Sequence, residues 1–265
     1  LLAEYGPGVS AAAYAAYLTR DTATAHICDP PAEMLLSANA ALNAVLTGVY
    51  GALTPEAVFA AEPGLAAYAH DPRFFRLVLP VCVATAVRLD LAAQRLEYAH
   101  AGDTALLLFM ADGHVRAVTG GAGDVVPPDY ASWSSDKRAR YTVESGIRHN
   151  YVDDDGQPDS QQGVAVINGL PQLAHYLHAG EQLLTGVDAV LVCTDGLLWP
   201  NPPNEDAAGQ QARLAHMRAL IESEGLADYL ERLRAEERAD RDRVRYPRFK
   251  IHDDATGLYV RLSAR

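Results

Sequence analysis

The chain has 265 residues, with 22 Lys and Arg against 34 Asp and Glu, and so carries a formal net charge of −12. This excess of acid argues against nucleic acid as the main partner, because phosphate backbones are bound by clustered Lys and Arg. Three widely spaced cysteines, Cys28, Cys82 and Cys193, are typical of free thiols in a reducing compartment. No run approaches the roughly eighteen apolar residues of a membrane-spanning helix, and no signal peptide is evident. We therefore expect a cytoplasmic protein without a membrane partner.

The first part of the chain predicts two helices. Ser10 is a candidate N-cap for an Ala-rich helix, and apolar residues then recur at helical spacing over residues 34–49 until Gly51. Both helices are interpreted as covering a core. The polar residues Ser37, Asn39 and Asn43 are predicted to face away from it.

Between Leu77 and Thr119 the pattern changes to the alternation of strands. Short turns separate them, among them Ala101-Gly102-Asp103 and the hairpin signal around Asp112-Gly113. We predict an antiparallel meander. Its strands are expected at about 81–88, 95–100, 104–110 and 115–118.

Residues 120–165 are rich in Gly, Pro and Ser and are predicted to be loops. The acids at 153–155 lack the ligand spacing of a calcium loop, so a solvated loop is favoured. His175 and His178, at i, i+3 on a short helix predicted over residues 172–178, have no third metal ligand nearby in sequence and are interpreted as surface histidines.

A continuous apolar run over residues 189–193 predicts a buried strand that ends on Asp195 and Gly196. Taken alone, Asp-Gly is more often a simple turn. An amphipathic segment follows from Gln211 to about Arg241, and the mixed charges over 232–248 are interpreted as a solvated helical face. The absence of repeats and linkers favours one domain over residues 1–265.

Three isolated carboxylates stand out against this pattern. Asp103, Asp195 and Asp253 each occupy a turn that enters or leaves a strand. Oxygen-only ligands suit magnesium or manganese, and such ions activate water and neutralise phosphate oxygens. The acids therefore indicate hydrolysis of a phosphate ester, provided that the three turns meet in space.

The same turns carry a resemblance to a known family. Gly102-Asp103-Thr104, Thr194-Asp195-Gly196 and Asp253-Asp254-Ala255-Thr256 resemble, in order, three signatures of metal-dependent protein phosphatases of the 2C type. Those signatures read Gly-Asp-Ser, Ser-Asp-Gly and Asp-Asn/Asp-x-Thr. The resemblance covers roughly residues 77–119 and 163–262.

The resemblance implies an α+β fold, a four-layer α-β-β-α sandwich of two antiparallel sheets flanked by helices. It implies two manganese or magnesium ions with a possible third, held by Asp195 and Asp253, with Asp103 assisting at the third. Asp254 matches a position beside the ligand and is not expected to coordinate. The implied activity is hydrolysis of phosphoserine or phosphothreonine in a protein substrate, with residues 120–165 as a variable flap that selects substrates.

The chain also departs from the family pattern. No Asp-Gly precedes Val9, where the family has its phosphate-binding Arg and its metal-bridging Asp-Gly-x-Gly-Gly, and Gly6-Pro7-Gly8 resembles only the tail of that region. The catalytic residues are therefore expected upstream of Leu1. Two alternatives stay open. One is an inactive pseudophosphatase that acts as a binding or regulatory module, and the other is a different metallohydrolase with carboxylates in the same order.

Overall fold

The computed structural model describes residues 8–120, 127, 129–153, 155–159 and 162–262. The chain divides into two compact units. The first unit comprises residues 1–102 and 139–183, and the second comprises residues 103–138 and 184–265. The organisation of residues 1–265 as a single phosphatase domain stays a prediction.

Helices and strands alternate in blocks along the described chain. The α-helices are α1 (Ala11–Ala25), α2 (Pro31–Tyr50), α3 (Pro55–Ala61), α4 (Ser135–Gly146), α5 (Leu173–Tyr176), α6 (Ala207–Glu224) and α7 (Leu226–Ala239). The strands are β1 (Ala84–Asp90), β2 (Arg95–Ala101), β3 (Ala105–Met110), β4 (Val115–Thr119), β5 (His178–Leu183), β6 (Val187–Cys193) and β7 (Gly257–Arg261). Short 3-10 helices lie at Pro63–Tyr68, Pro72–Val78, Tyr130–Ser132 and Asp195–Leu197.

The strands form two sheets, one in each unit. The first has the order β1-β2-β5 and the second β4-β3-β6-β7, and every pairing is antiparallel. Helix α2 packs on β1 and β2, and α6 and α7 pack on β3 and β6. The predicted α+β class, with two antiparallel sheets flanked by helices, is confirmed.

The predicted continuous meander is wrong, because β2 and β3 belong to different sheets. The chain leaves β2 through Gly102, whose φ of +99° is unfavourable for other residues. A Cβ atom at Gly102 would also lie 2.1 Å from Cγ1 of Val83. Alternation identifies strands but not their partners, so the sequence did not reveal this change of sheet.

The core of the first unit is built on α2. Ser10 caps α1 as predicted, its Oγ accepting a hydrogen bond from the backbone N–H of Ala13 at 3.1 Å, and Gly51 ends α2. Helix α2 has 20 residues, and an 18-residue stretch of it has a mean hydropathy of 1.2. This suffices by length and composition to cross a bilayer, which corrects the expectation that no segment does. Its residues Leu35, Leu42 and Leu46 are buried in the core of this unit. We therefore describe α2 as a core helix.

The prediction that Asn39 and Asn43 face away from the core is wrong. Asn39 is buried, and its Oδ1 accepts hydrogen bonds from the backbone N–H groups of Asn168 (3.3 Å) and Gly169 (2.9 Å). Its Nδ2 donates to the carbonyl of Leu170 at 2.9 Å, and Asn43 Nδ2 donates to the carbonyl of Gly169 at 2.7 Å. The two amides satisfy backbone groups of an irregular segment that would otherwise be buried without partners.

The core of the second unit follows the predicted amphipathic stripe. Gly225, with φ +84°, divides the predicted amphipathic segment into α6 and α7. The buried residues of the stripe are Leu214, Met217, Ile221, Tyr229 and Leu233. Strands β3 and β6 are therefore covered on this face by two helices.

Residues 120–165 are less irregular than predicted, because they include α4, a polar helix with no buried residue among those described. The acidic cluster forms a turn, in which Asp153 Oδ1 accepts hydrogen bonds from the backbone N–H groups of Asp155 and Gln157. Asp154 lies outside the described residues. His175 and His178 are exposed, as predicted. The role of this segment as a substrate-selecting flap stays a prediction.

Candidate active site

The three predicted carboxylates leave the second sheet at the same end. Cys193, the last residue of β6, pairs with Ala105 of β3 and with the first residue of β7. Because these pairings are antiparallel, the segments that precede β3, follow β6 and precede β7 lie together. Those segments contain Asp103, Asp195 and Asp253, respectively.

A threonine joins the Asp195 turn to the segment that carries Asp253. The backbone N–H of Thr194 donates to the carbonyl of Thr256 at 2.9 Å, and Thr194 Oγ1 accepts from the N–H of Thr256 at 3.0 Å. The same hydroxyl lies 3.2 Å from the carbonyl oxygen of Asp254. The β6–β7 ladder is thus extended by one residue beyond the last strand pair.

Gly196 allows these two segments to approach closely. A Cβ atom at this position would lie 2.4 Å from the carbonyl oxygen of Asp254 and 3.1 Å from Cβ of Asp253. No other residue fits without a backbone shift. The Asp195-Gly196 pair therefore does more than reverse the chain, because it also brings Asp253 beside Asp195.

Each of the two carboxylates is oriented by a backbone N–H group. Gly196 N–H donates to Asp195 Oδ1 at 2.9 Å, and Asp254 N–H donates to Asp253 Oδ1 at 2.8 Å. Asp195 and Asp253 line the same pocket of the second unit. Asp254 is exposed. The prediction that it lies beside a metal ligand and does not itself coordinate the metal stays untested.

Lys250 is a site residue that the sequence analysis missed. Its Nζ lies 2.7 Å from Asp253 Oδ1, and its side chain is 62% exposed. The hydrogen bond to Asp253, with the charges of Asp253, Asp254 and Asp195, raises the pKa of Lys250. The i, i+3 spacing from Lys250 to Asp253 is the one signal in the sequence that pointed to this pair.

The prediction of a solvated face over residues 232–248 is wrong at its centre. Glu237 on α7 is buried, and its Oε2 accepts hydrogen bonds from Arg234 Nη1 (2.6 Å) and His252 Nδ1 (2.8 Å). Arg234 Nη2 also donates to the carbonyl of Asp253 at 2.5 Å. These charged side chains therefore hold the loop that contains Asp253 against α7.

A second buried ion pair holds the same loop in place. Arg248 Nη1 donates to Asp240 Oδ2 at 2.7 Å, and both side chains are 9% exposed. The remaining guanidinium N–H groups donate to the backbone carbonyls of Tyr246, Ile251, Glu237 and Asp240. A run of alternating charges in the sequence does not distinguish a buried ion pair from an exposed one.

The end of the sheet concentrates negative charge. Although Asp103 as a whole is exposed, partial desolvation of its carboxyl group, together with the charge of Asp253, raises the pKa of Asp103. A hard divalent cation suits this set of carboxylate oxygens. Within the described ranges, however, no three His, Cys, Asp or Glu side chains are arranged to hold an ion. Asp195, Asp253 and Asp103 as metal ligands therefore stay a prediction.

Comparisons with known proteins identify similar folds only. No protein-family model and no characterised protein matches the chain in sequence. Among solved structures, the Mycobacterium tuberculosis serine/threonine phosphatase PstP/Ppp matches with 16% identity over 97% of this chain and 85% of that chain, at a TM-score of 0.47. PppA, a regulatory component of the type VI secretion system in Pseudomonas aeruginosa, matches with 11% identity over 97% and 82%, at 0.43. Serine-threonine phosphatase 2C from Toxoplasma gondii matches with 14% identity over 83% and 66%, at 0.38.

Two of these proteins are serine/threonine phosphatases, and the one from Toxoplasma gondii is of type 2C. Each TM-score is below 0.5 and each identity is at most 16%. A functional argument therefore has to rest on the chain's own residues.

Proposed function

We propose that the protein hydrolyses phosphate monoesters on serine or threonine residues of phosphoproteins, with manganese or magnesium. The observation that carries the proposal is the pairing of Asp195 and Asp253 in one pocket, at the end of a sheet where Asp103 also emerges. These are the acids that occupy the three motif positions. A cytoplasmic location and two or three bound ions belong to the same proposal.

The residues of the site would have distinct roles. Asp195 and Asp253 would hold the cation, with Asp103 assisting. When bound, such a cation neutralises phosphate oxygens and lowers the pKa of a water molecule. The N–H groups of Gly196 and Asp254 fix one oxygen of each carboxylate, and Lys250 adds a positive charge beside Asp253.

Substitution Asp195→Asn tests the proposal. It keeps the size of the side chain but removes its charge, so we expect a folded protein with kcat/KM reduced on the order of 100-fold or more. Hydrolysis of p-nitrophenyl phosphate and of a phosphothreonine peptide is measured with Mn²⁺ and with EDTA, on the full-length protein.

Asp112→Asn is a matched control. Asp112 lies in the turn between β3 and β4, where its Oδ1 accepts a hydrogen bond from the backbone N–H of His114, and Asn can accept the same bond. This variant should keep full activity. Unchanged activity in Asp195→Asn, or a wild-type protein that hydrolyses neither substrate with metal, would contradict the proposal; the second result would favour the inactive binding module.

A further inference from the structure

A second cleft lies entirely within the first unit and shares no residue with the candidate active site. Its volume is about 380 Å³, which is within the range of small-molecule sites. Much of its lining is apolar and includes Leu53, Phe75, Val152 and Leu170. Two arginines of the 3-10 helix Pro72–Val78 also line it.

The two arginines differ in their partners. Arg73 is neutralised by Asp71, to which its Nε donates at 2.9 Å and its Nη2 at 2.6 Å. Arg76 is only 5% exposed, forms no ion pair with a described carboxylate, and has a buried Nε without a hydrogen-bond partner among the described residues. Burial lowers the pKa of Arg76, yet an arginine keeps its charge in proteins.

A buried charge without a partner is costly and needs an explanation. The guanidinium of Arg76 lies over the ring of Phe75, 5.1 Å from its centroid, which compensates for only part of the lost hydration. A guanidinium fork matches the oxygens of a carboxylate or phosphate group. Arg76 thus has the properties of a residue that binds an anion from outside the described protein.

A second polar group in the cleft is also unsatisfied. The Oε1 atom of Gln172 is buried and has no hydrogen-bond partner among the described residues. Asp153 lines the cleft as well, but its Oδ1 accepts two backbone hydrogen bonds within its own turn. The unsatisfied Nε–H donor of Arg76 among apolar walls indicates a ligand that has an anionic acceptor and an apolar part. The Gln172 oxygen is itself an acceptor, so it would need a donor group on the ligand.

We propose that this cleft binds a small ligand in which an oxyanionic group, carboxylate or phosphate, is attached to an apolar body. The oxyanion pairs with Arg76, and the apolar body lies against Phe75 and Leu170. The proposal goes beyond the proposed phosphatase function and does not depend on it.

Isothermal titration calorimetry on the full chain tests the proposal. The probes are phenylphosphonate, benzoate, inorganic phosphate and uncharged benzyl alcohol, all in EDTA so that no divalent ion is present. We expect phenylphosphonate or benzoate to bind at least 10-fold more tightly than benzyl alcohol and inorganic phosphate, and the tighter of the two identifies the anionic group. Absence of binding by both aromatic anions would overturn the proposal, as would inorganic phosphate binding equally well.

Arg76→Gln should weaken binding of the preferred probe at least 10-fold. Arg88→Gln removes one positive charge from the same unit, where Arg88 pairs with Glu97 outside the cleft, and should bind the probe as the wild type does. Equal weakening in both variants would assign the effect to net charge and contradict the proposal.

Melting temperatures, and binding of the probe to a further variant, separate an effect on binding from an effect on folding. The preferred probe should raise the melting temperature of the wild type but not of Arg76→Gln. Asp153→Asn keeps the oxygen that accepts in the turn but removes a negative charge from the cleft, so it should strengthen binding of the anion. Unchanged or weaker binding in Asp153→Asn would contradict a site for anions. Since EDTA is present throughout, a failure of the phosphatase proposal leaves these results unaffected.

Discussion

Single residues decide how close the acids of the candidate site come to each other. Gly196 leaves room for the carbonyl of Asp254, and Thr194 hydrogen bonds to the same segment. An Asp-Gly pair looks like an ordinary turn in sequence. Only the close approach of the Asp253-Asp254 segment explains why the residue after Asp195 is a glycine.

His100 on β2 is another residue whose surroundings set its chemistry. It is buried, and its Nδ1 lies 3.0 Å from Thr85 Oγ1. Burial lowers the pKa of His100 from 6.5 to about 4. The folded protein therefore holds this imidazole neutral at pH values where the unfolded chain protonates it.

This difference predicts a loss of stability in mild acid. Below pH 6.5 the unfolded state binds a proton at His100 that the folded state does not bind until about pH 4, so the free energy of unfolding falls as the pH is lowered through this window. Between pH 7 and pH 5 the contribution of His100 should fall by about 2 kcal/mol. Urea unfolding at the two pH values measures it.

Two histidine variants test whether His100 causes this loss of stability. His100→Asn should lose less stability between pH 7 and pH 5 than the wild type does. His70→Asn, at an exposed histidine, should follow the wild type. An identical pH dependence in His100→Asn and the wild type would show that His100 does not titrate as its burial requires.

At the scale of elements, the loop between α7 and β7 carries Asp253 and is held by buried charges as well as by buried apolar residues such as Tyr246. Glu237 binds Arg234 and His252, and Arg248 binds Asp240. A buried ion pair is costly to break, because one charge is left without a partner.

Arg248→Met should therefore be strongly destabilising, by about 3–5 kcal/mol. The change removes the counter-charge of Asp240 and leaves several backbone carbonyls without their guanidinium donor. Arg232→Met is the matched control, because Arg232, 55% exposed, forms a surface ion pair with Glu224 that is worth less than about 1 kcal/mol. Urea unfolding compares the two variants. Equal losses would mean that the loop is not held by Arg248.

At the scale of the whole molecule, a ligand that binds only the folded state raises the free energy of unfolding of the chain. A cation held by Asp195 and Asp253 would relieve the repulsion between these acids, at a sheet end of a protein with net charge −12. Metal binding can thus be measured independently of activity.

We expect Mn²⁺ at 100 times its dissociation constant to raise the free energy of unfolding by about 2.7 kcal/mol, and EDTA to reverse the effect. The double variant Asp195→Asn/Asp253→Asn should lose this stabilisation, whereas Asp112→Asn should keep it. Thermal unfolding with and without Mn²⁺ gives the comparison. A shift that persists in the double variant would place the ion elsewhere.

The sequence by itself determined most of the helices and strands and the positions of the three acids, because periodicity, caps and turn residues are local properties of the chain. It also determined the order of the motifs and with it the proposed chemistry. It missed helix α4, a polar helix in which no described residue is buried.

The tertiary structure alone decided which strands pair and which charges are buried. The change of sheet after β2, the contacts of Asn39 with residues 168–170 and the lysine on Asp253 each depend on where segments meet in space. So does the burial of Arg76 without an ion pair among the described carboxylates, since a lone arginine in sequence looks the same whether it is solvated or enclosed. Burial and pairing arise from packing between distant segments, and local sequence does not encode them.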